Sequence, residues 1–99
     1  MHKMVVLYRE PADKDQFLRH YNDVHLPLVT KIPGLLKAEV TRFNRTLMGE
    51  KFFLMAEICF ADADSFKAAM KSPENAATGA DLANFAEGLA TVMIGESVD

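Results

Sequence analysis

Residues 51–60 read Lys51-Phe-Phe-Leu-Met-Ala-Glu-Ile-Cys-Phe60, and this stretch decides the fold. Its apolar, aromatic and β-branched content predicts a strand. A strand with one solvated face should alternate between apolar and polar residues. Here both alternating sets are apolar: Phe52, Leu54, Ala56 and Ile58 form one set, and Phe53, Met55 and Cys59 form the other. A sheet that contains this strand therefore needs cover on both faces.

On either side of residues 51–60 the sequence predicts further elements, which gives four strands and three helices in all. The strands are predicted at residues 3–9, 35–43, 51–60 and 90–98. The helices are predicted at residues 13–28, 62–71 and 76–88, with Asp13 and Asp62 as N-caps. The order β-α-β-β-α(α)-β is that of an α+β, ferredoxin-like fold, in which a four-stranded antiparallel sheet carries helices on one face.

The predicted first strand is also apolar on both faces. Its two alternating sets are Val5 with Leu7, and Met4 with Val6 and Tyr8. A chain of 99 residues leaves too little helix to cover both faces of the sheet. We therefore expect two subunits to pack sheet against sheet as a homodimer, which gives a dimeric α+β barrel. The alternative is that one of these segments is helical, or that loops cover the second face.

The composition excludes several classes of protein. The chain is 49% hydrophobic and 25% charged, and its 99 residues suit one soluble globular domain, residues 1–99. The net charge is −3 and no basic stripe is present, so neither nucleic acid nor an anionic membrane surface is an expected partner. No stretch approaches the ~20 apolar residues of a membrane span. The lone Cys59 suggests a buried thiol in a reducing compartment, and we predict a cytoplasmic location.

The helix over residues 13–28 contains the residue that position singles out. Its apolar face is formed by Phe17, Tyr21, Val24 and Leu28. His25 lies about 60° from the centre of that face. Pro27 has no amide hydrogen, so the carbonyl of Asp23 loses its helical partner and the helix should be irregular near His25. We expect a half-buried imidazole that exchanges a proton near neutral pH, or one that only bonds a freed carbonyl.

Asp81 is the second candidate, because the segment Ala80-Asp81-Leu82-Ala83-Asn84-Phe85 is otherwise small and apolar. A carboxylate there would need a polar partner. Alternatively, Asp81 would cap a helix that is broken at Gly79. Tyr8 and Tyr21 are able to direct hydroxyls into a pocket, although core tyrosines with one wet edge are commoner.

The positions of the other two histidines give no comparable reason to expect a functional role. His20 lies about 80° from the apolar face on its other flank and is predicted to be solvated. His2 precedes the first strand. His20 and His25 are five residues apart, so they do not share a helix face as an i, i+4 metal pair would, and no metal site is expected. The sequence also contains no phosphate-binding glycine loop, Gly-x-Ser-x-Gly or Cys-x-x-Cys motif.

Motifs in both halves of the chain resemble the EthD family, and the resemblance covers nearly the whole sequence. It is carried by Phe17-Leu-Arg-His-Tyr21-Asn-Asp-Val-His25-Leu-Pro27-Leu28, Ile32-Pro33-Gly34-Leu35, Ala69-Met70-Lys-Ser-Pro73-Glu74 and residues 80–85. It implies a dimeric α+β barrel with a pocket between sheet and helices for a small, largely apolar molecule. His25 and Asp81 fall on motif positions, which favours them as catalytic residues. We predict that Tyr8, Tyr21 and Phe85 contact the substrate.

Three functions remain open, and the resemblance names no substrate. The first is an enzyme without a cofactor, with His25 as general acid/base on a lactone, ketone or aromatic intermediate. In that enzyme Asp81 and the two tyrosines would orient the imidazole or the substrate. The second is a non-catalytic protein that holds a hydrophobic metabolite for an oxidation pathway. The third is a haem-type monooxygenase, for which His25 is the only plausible haem ligand.

Overall fold

The structure, a computed structural model, describes residues 1–98 and contains the four predicted strands. These are β1 (His2–Tyr8), β2 (Lys37–Arg42), β3 (Leu54–Phe60) and β4 (Ala90–Glu96), in one antiparallel sheet of order β2-β3-β1-β4. The helical elements are α1 (Lys14–His20), a π-helical turn (Tyr21–His25), α2 (Leu26–Val29), α3 (Ala63–Met70) and α4 (Pro73–Ala86). This arrangement confirms the ferredoxin-like α+β fold. No helix of the described chain has the length and apolar character needed to cross a membrane.

The helix starts follow from capping residues. The predicted N-cap carboxylates accept amide hydrogen bonds at the start of α1 and α3: Asp13 from Gln16 (3.0 Å) and Asp62 from Ser65 (2.8 Å). Helix α4 begins three residues before the predicted start at residue 76. The reason is that the Ser72 hydroxyl accepts a hydrogen bond from the amide of Asn75 at 3.1 Å. Pro73 then occupies the first turn, where its missing amide hydrogen costs little.

The irregularity predicted near His25 is a π-helical turn. The amide of Leu26 donates to the carbonyl of Tyr21, five residues earlier in the chain. Pro27 follows in the first turn of α2, so its missing amide hydrogen is tolerated and the helical path continues to Val29. Both Tyr21 and His25 are buried at the ends of this turn.

The helices cover one face of the sheet. Directly paired residues share a face, so Val6 of β1 lies on the helix side together with Ala56 and Val92. The alternation of residues 51–60 predicts that Phe53 lies on the opposite face, and this prediction is wrong. Its ring packs against Phe17 of α1, with centroids 5.7 Å apart. The regular alternation does not extend to this residue because β3 begins only at Leu54.

The second face of the sheet is apolar in its centre. The apolar side chains on this face belong to Val5, Leu7, Met55, Cys59 and Met93. Lys3 and Glu57 also lie on it, and their side chains form an ion pair at 3.1 Å. The second apolar face that the sequence predicts is therefore present. It is smaller than predicted because it lacks Phe53, and the charged side chains of Lys3 and Glu57 border it.

Candidate active site

Two histidines from one helical segment meet at the carboxylate of Asp81. Nδ1 of His25 lies 2.9 Å from Oδ2 of Asp81. Nε2 of His20 lies 2.9 Å from Oδ1 and 3.0 Å from Oδ2 of the same carboxylate. His20 ends α1, His25 ends the π-helical turn, and Asp81 lies within α4. The structure thus joins His25 and Asp81, the two predicted catalytic candidates.

The prediction that His20 is solvated is wrong, because the helix is not α-helical throughout. In an α-helix, residues five apart are separated by about 140° around the axis. A π-helical turn links residues five apart by hydrogen bonds and brings them towards the same side. His20 and His25 therefore both reach Asp81. Pro27 was the sequence signal for this irregularity, since it predicted a helix that departs from regular geometry.

Asp81 is not a helix cap. Helix α4 runs from Pro73 to Ala86 without a break at Gly79, which places Asp81 inside the helix. Its side chain is 10% exposed, and both carboxylate oxygens accept hydrogen bonds from histidine. The polar partners that an acid in an apolar segment requires are therefore His20 and His25.

The electrostatics of the site favour a carboxylate beside a neutral imidazole. His25 is 4% exposed, and this burial lowers its pKa, while the Asp81 carboxylate opposes the effect in part. Burial disfavours ionisation of Asp81, but the hydrogen bonds from His25 and His20 outweigh it and lower the pKa of Asp81. At neutral pH, Nδ1–H of His25 donates to Asp81. Nε2 is then the basic nitrogen left for a bound molecule.

His25 lines a cavity of about 160 Å³ between the sheet and the helices. Its wall is apolar over most of its extent, with side chains that include Val6, Ala56, Ile58 and Leu82. Its polar side chains are Tyr8, Tyr21, His25, Asn75 and Thr78. No Lys, Arg, Asp or Glu of the described chain lies in this wall. The cavity suits a small, largely apolar molecule, as the resemblance implies.

The family profile named EthD domain matches residues 9–88, more than half of the chain. This protein belongs to the EthD family. It is similar to an uncharacterized 11.0 kDa protein from the thcB-thcC intergenic region of Rhodococcus erythropolis. The two are 32% identical over 95 residues, which cover 94% of this chain and 91% of the relative.

Solved structures support the same assignment. An ethyl tert-butyl ether D (EthD) family protein from Bacillus halodurans is 44% identical, with a TM-score of 0.93 over 99% of each chain. A dimeric protein of unknown function with a ferredoxin-like fold, from Bacteroides fragilis, is 26% identical. Its TM-score is 0.63, with 97% of this chain and 95% of that chain covered. Family and fold are therefore established for this EthD-family protein.

In this EthD-family chain, two of the residues predicted to contact a substrate, Tyr8 and Tyr21, lie in the wall of the inner cavity. Tyr8 is 0% exposed, and its Oη has no hydrogen-bond partner among residues 1–98. Burial raises the pKa of Tyr8, and it raises the pKa of Tyr21 to about 12, so both side chains remain phenols at neutral pH. An unsatisfied buried hydroxyl costs ~1–3 kcal/mol and is uncommon in native proteins. Because Tyr8 has no exposed surface, contact of its hydroxyl with a ligand stays a prediction.

Phe85 lies beside the histidines, outside the wall of the inner cavity. Its ring centroid is 4.7 Å from that of His20 and 4.8 Å from that of His25. With His20 and Asn84, Phe85 lines a wider, open cleft of about 440 Å³ on the protein surface. The position of Phe85 fits packing that fixes the two imidazole rings. Contact of Phe85 with a substrate stays a prediction.

The lone cysteine and the metal-ligating side-chain types are the other groups in this EthD-family protein that could carry chemistry. Cys59 is a free thiol buried in β3, where it packs as a small apolar residue, as the sequence predicts. Within residues 1–98, no group of three or more His, Cys, Asp or Glu side chains is arranged to hold a metal ion. The side chains around Asp81 form a hydrogen-bonded group of two histidines and one carboxylate.

Proposed function

We propose that this EthD-family protein is an enzyme that transfers protons on a small, largely apolar metabolite, such as a lactone, ketone or aromatic intermediate, without a cofactor. One observation carries the proposal: Asp81 accepts the Nδ1–H of His25 at 2.9 Å, and His25 lines the inner cavity. A carboxylate that holds one imidazole nitrogen fixes the tautomer and leaves the other nitrogen to act as base.

The proposed chemistry uses His25 first as base and then as acid. Nε2 removes a proton from a carbon of the bound molecule, and the Asp81 carboxylate stabilises the imidazolium that results. The imidazolium returns the proton to the same molecule at another position. Because burial lowers the pKa of His25, the base form is present at neutral pH. In this proposal, the enzyme acts in a catabolic or secondary-metabolite pathway.

His20 acts in this scheme as a positioning residue for Asp81. Its Nε2 lies within 3.0 Å of both carboxylate oxygens, so it holds the carboxylate whose Oδ2 also contacts His25. Its side chain is 26% exposed, whereas that of His25 is 5% exposed. The more exposed histidine thus anchors the carboxylate, and the buried histidine contacts the cavity.

The proposal includes a homodimer formed through the second face of the sheet. The apolar centre of that face, which includes Leu7 and Met93, gains cover when a second copy packs on it. Strand β4 is an edge strand, and Met93, its apolar residue on the second face, is 43% exposed. The dimeric relative from Bacteroides fragilis also supports this assembly. The free thiol of Cys59 agrees with the predicted cytoplasmic location.

A binding protein without chemistry is the second candidate. The apolar wall of the inner cavity supports ligand binding by itself. The haem alternative gains no support from this cavity. A volume of about 160 Å³ is well below the ~300–1,000 Å³ of pockets for drug-sized ligands.

Hydrogen exchange on a small ketone tests the proposal. Cyclohexanone is incubated with the protein in D₂O, and loss of the α-proton signal is followed by ¹H NMR. We expect exchange above the buffer rate, and His25→Gln should reduce the catalysed rate by ~10²–10⁴-fold with fold and assembly unchanged. Full activity of the His25→Gln variant would overturn the role of His25. Binding of cyclohexanone with exchange only at the buffer rate would favour the binding protein.

A further inference from the structure

We propose that a pocket beside the connection between β2 and β3 binds the phosphate group of a small soluble molecule. This basic pocket has a volume of about 160 Å³, and its wall is formed by Glu10, Lys14, residues 42–45 and residues 51–53. It shares no residue with the inner cavity or with the open cleft beside Phe85. The proposed binding is therefore independent of the catalytic role proposed for His25.

The basic pocket carries an excess of positive charge. Its charged side chains are four cations, Lys14, Arg42, Arg45 and Lys51, and one carboxylate, Glu10. The excess is three positive charges, in a chain whose net charge is −3. The cations come from α1, from the end of β2 and from the segment before β3, so the sequence alone shows no basic stripe. A concave site with one sign of charge attracts ions of the opposite sign.

The carboxylate of Glu10 holds the two lysines in the pocket. Nζ of Lys14 lies 2.6 Å from Oε1 of Glu10, and Nζ of Lys51 lies 2.8 Å from Oε2. Hydrogen bonds from Lys14 and Lys51 lower the pKa of Glu10 to about 2, so this group is a carboxylate at neutral pH. Each ammonium group has three N–H donors, and the contact with Glu10 uses one of them. Donors therefore remain on both lysines for a ligand.

The two arginines supply cations that no carboxylate neutralises. Among residues 1–98, no acidic side chain forms an ion pair with Arg42 or Arg45. The neighbouring acid Glu50 instead lies 3.5 Å from Arg9. The guanidinium of Arg42 lies 5.4 Å from the ring centroid of Phe53, a cation–π distance. This contact uses the face of the guanidinium, whereas its N–H donors lie in the plane of the group.

The basic pocket opens on the helix side of the sheet. Arg42 is paired with Leu54, and Leu54 is paired with Tyr8, so these residues share a face. That face is the helix side, since the Tyr8 ring packs against Phe17 of α1. A second copy on the opposite face would leave the pocket open. The side chains of Lys14 and Lys51 are 50% and 69% exposed, so a dissolved ligand reaches them directly.

This donor set fits one phosphate group. A phosphate ester carries a charge of about −1.5 to −2 at pH 7 and has three strongly accepting oxygens. Guanidinium groups bind two of these oxygens through parallel hydrogen bonds, and ammonium groups act as point charges. A carboxylate offers a single charge and two oxygens. A nucleic acid needs cations along successive phosphates, whereas these four cations line one pocket of about 160 Å³.

Titration with phenyl phosphate tests the proposal. Binding is followed by ¹H–¹⁵N NMR of the protein at about pH 7.5 and constant ionic strength, where the ester is a dianion. We expect saturable shifts of backbone amides in residues 10–14, 42–45 and 51–53. Arg42→Gln and Arg45→Gln should each weaken binding about tenfold. Arg19→Gln, at an exposed arginine of α1 outside the pocket, should bind phenyl phosphate like the unaltered protein.

Two further probes separate the ligand classes. Acetate should bind at least tenfold more weakly than phenyl phosphate, because it has a single charge. Vesicles of phosphatidylcholine and phosphatidic acid present the same phosphate chemistry on a surface, and we expect no co-sedimentation of the protein with them. Co-sedimentation that Arg42→Gln abolishes would overturn the assignment to a soluble ligand.

The remaining outcomes also decide the proposal. It is overturned if phenyl phosphate causes no saturable shifts, or if the shifts lie away from the basic pocket. It is equally overturned if acetate binds as tightly as the ester. Thermal melting establishes that the arginine variants are folded, and unchanged affinity in folded Arg42→Gln and Arg45→Gln would exclude these residues as phosphate ligands and overturn the proposed site.

Discussion

Nδ1 of His25 lies 2.9 Å from Oδ2 of Asp81, although 56 residues separate them in the chain. The hydrogen bond joins the end of the π-helical turn to the interior of α4. It fixes which ring nitrogen carries the proton, and it places a negative charge beside an imidazole whose burial disfavours a positive one. The chemistry of the cavity depends on this relationship.

Replacement of Asp81 by Asn should lower the pKa of His25 further. The amide keeps the shape of the carboxylate but removes the charge that favours the imidazolium, so burial acts with less opposition. The pKa is measured by NMR titration of the His25 ring protons. Asp64→Asn, the same change at an exposed acid in the first turn of α3, should leave that pKa unchanged. An unchanged His25 pKa in Asp81→Asn would show that the carboxylate does not act on the imidazole.

The free energy of unfolding should fall as the pH drops below about 6.5, the ordinary pKa of histidine. The unfolded chain then binds a proton at His25 that the buried, folded imidazole resists, because its pKa is lowered. Each such proton contributes up to about 1.4 kcal/mol per pH unit. The lowered pKa of Asp81 adds stability that is lost only in a separate, more acidic range, below about pH 4.

Urea denaturation at fixed protein concentration, repeated from pH 7.5 to pH 5, measures this dependence. His25→Gln removes the titrating group and should give a flatter profile over the same range. Equal slopes for the two proteins would mean that folding does not disfavour the charged form of His25.

Tyr8→Phe should unfold with a free energy equal to that of the unaltered protein, or higher by up to about 1 kcal/mol. The reason is that the hydroxyl it removes is buried without a partner in the described chain. Leu54→Ala, at the residue of β3 paired with Tyr8, should by contrast lose ~2–5 kcal/mol. A loss above about 2 kcal/mol in Tyr8→Phe would contradict the unpaired state of this hydroxyl.

Leu7→Lys should convert the proposed dimer to a monomer, because it places a charge in the apolar centre of the second sheet face. Native mass spectrometry distinguishes a species of twice 11.0 kDa from one of 11.0 kDa. Val24→Lys makes the same change at an exposed position on the helical side and should leave the dimer intact. A Leu7→Lys variant that stays dimeric would place the interface elsewhere.

Much of the fold is predictable from local sequence rules. The alternation of residues 51–60 and the capping residues Asp13 and Asp62 suffice for the order of strands and helices. The predicted start of α4 at residue 76 is late because Pro73 both follows the end of α3 and occupies the first turn of α4. The position of Phe53 could not be predicted, since alternation applies only within a regular strand.

The sequence predicts individual residues of the candidate active site, but it does not predict how they contact one another. His25 stands out beside Pro27, and Asp81 stands out as an acid among small apolar residues. Their contact depends on how α4 packs against the first helical segment, which no local pattern specifies. The sequence does not predict the contact of His20 with Asp81, because a projection at 100° per residue does not describe a π-helical turn.

The tautomer of His25 is the most direct test of the proposed active site. Long-range ¹H–¹⁵N NMR at about pH 8, where the imidazole is neutral, identifies which ring nitrogen carries the proton. The hydrogen bond to Asp81 predicts a protonated Nδ1 and an unprotonated, basic Nε2. A proton on Nε2 would remove the base from the cavity and contradict the proposed role of His25.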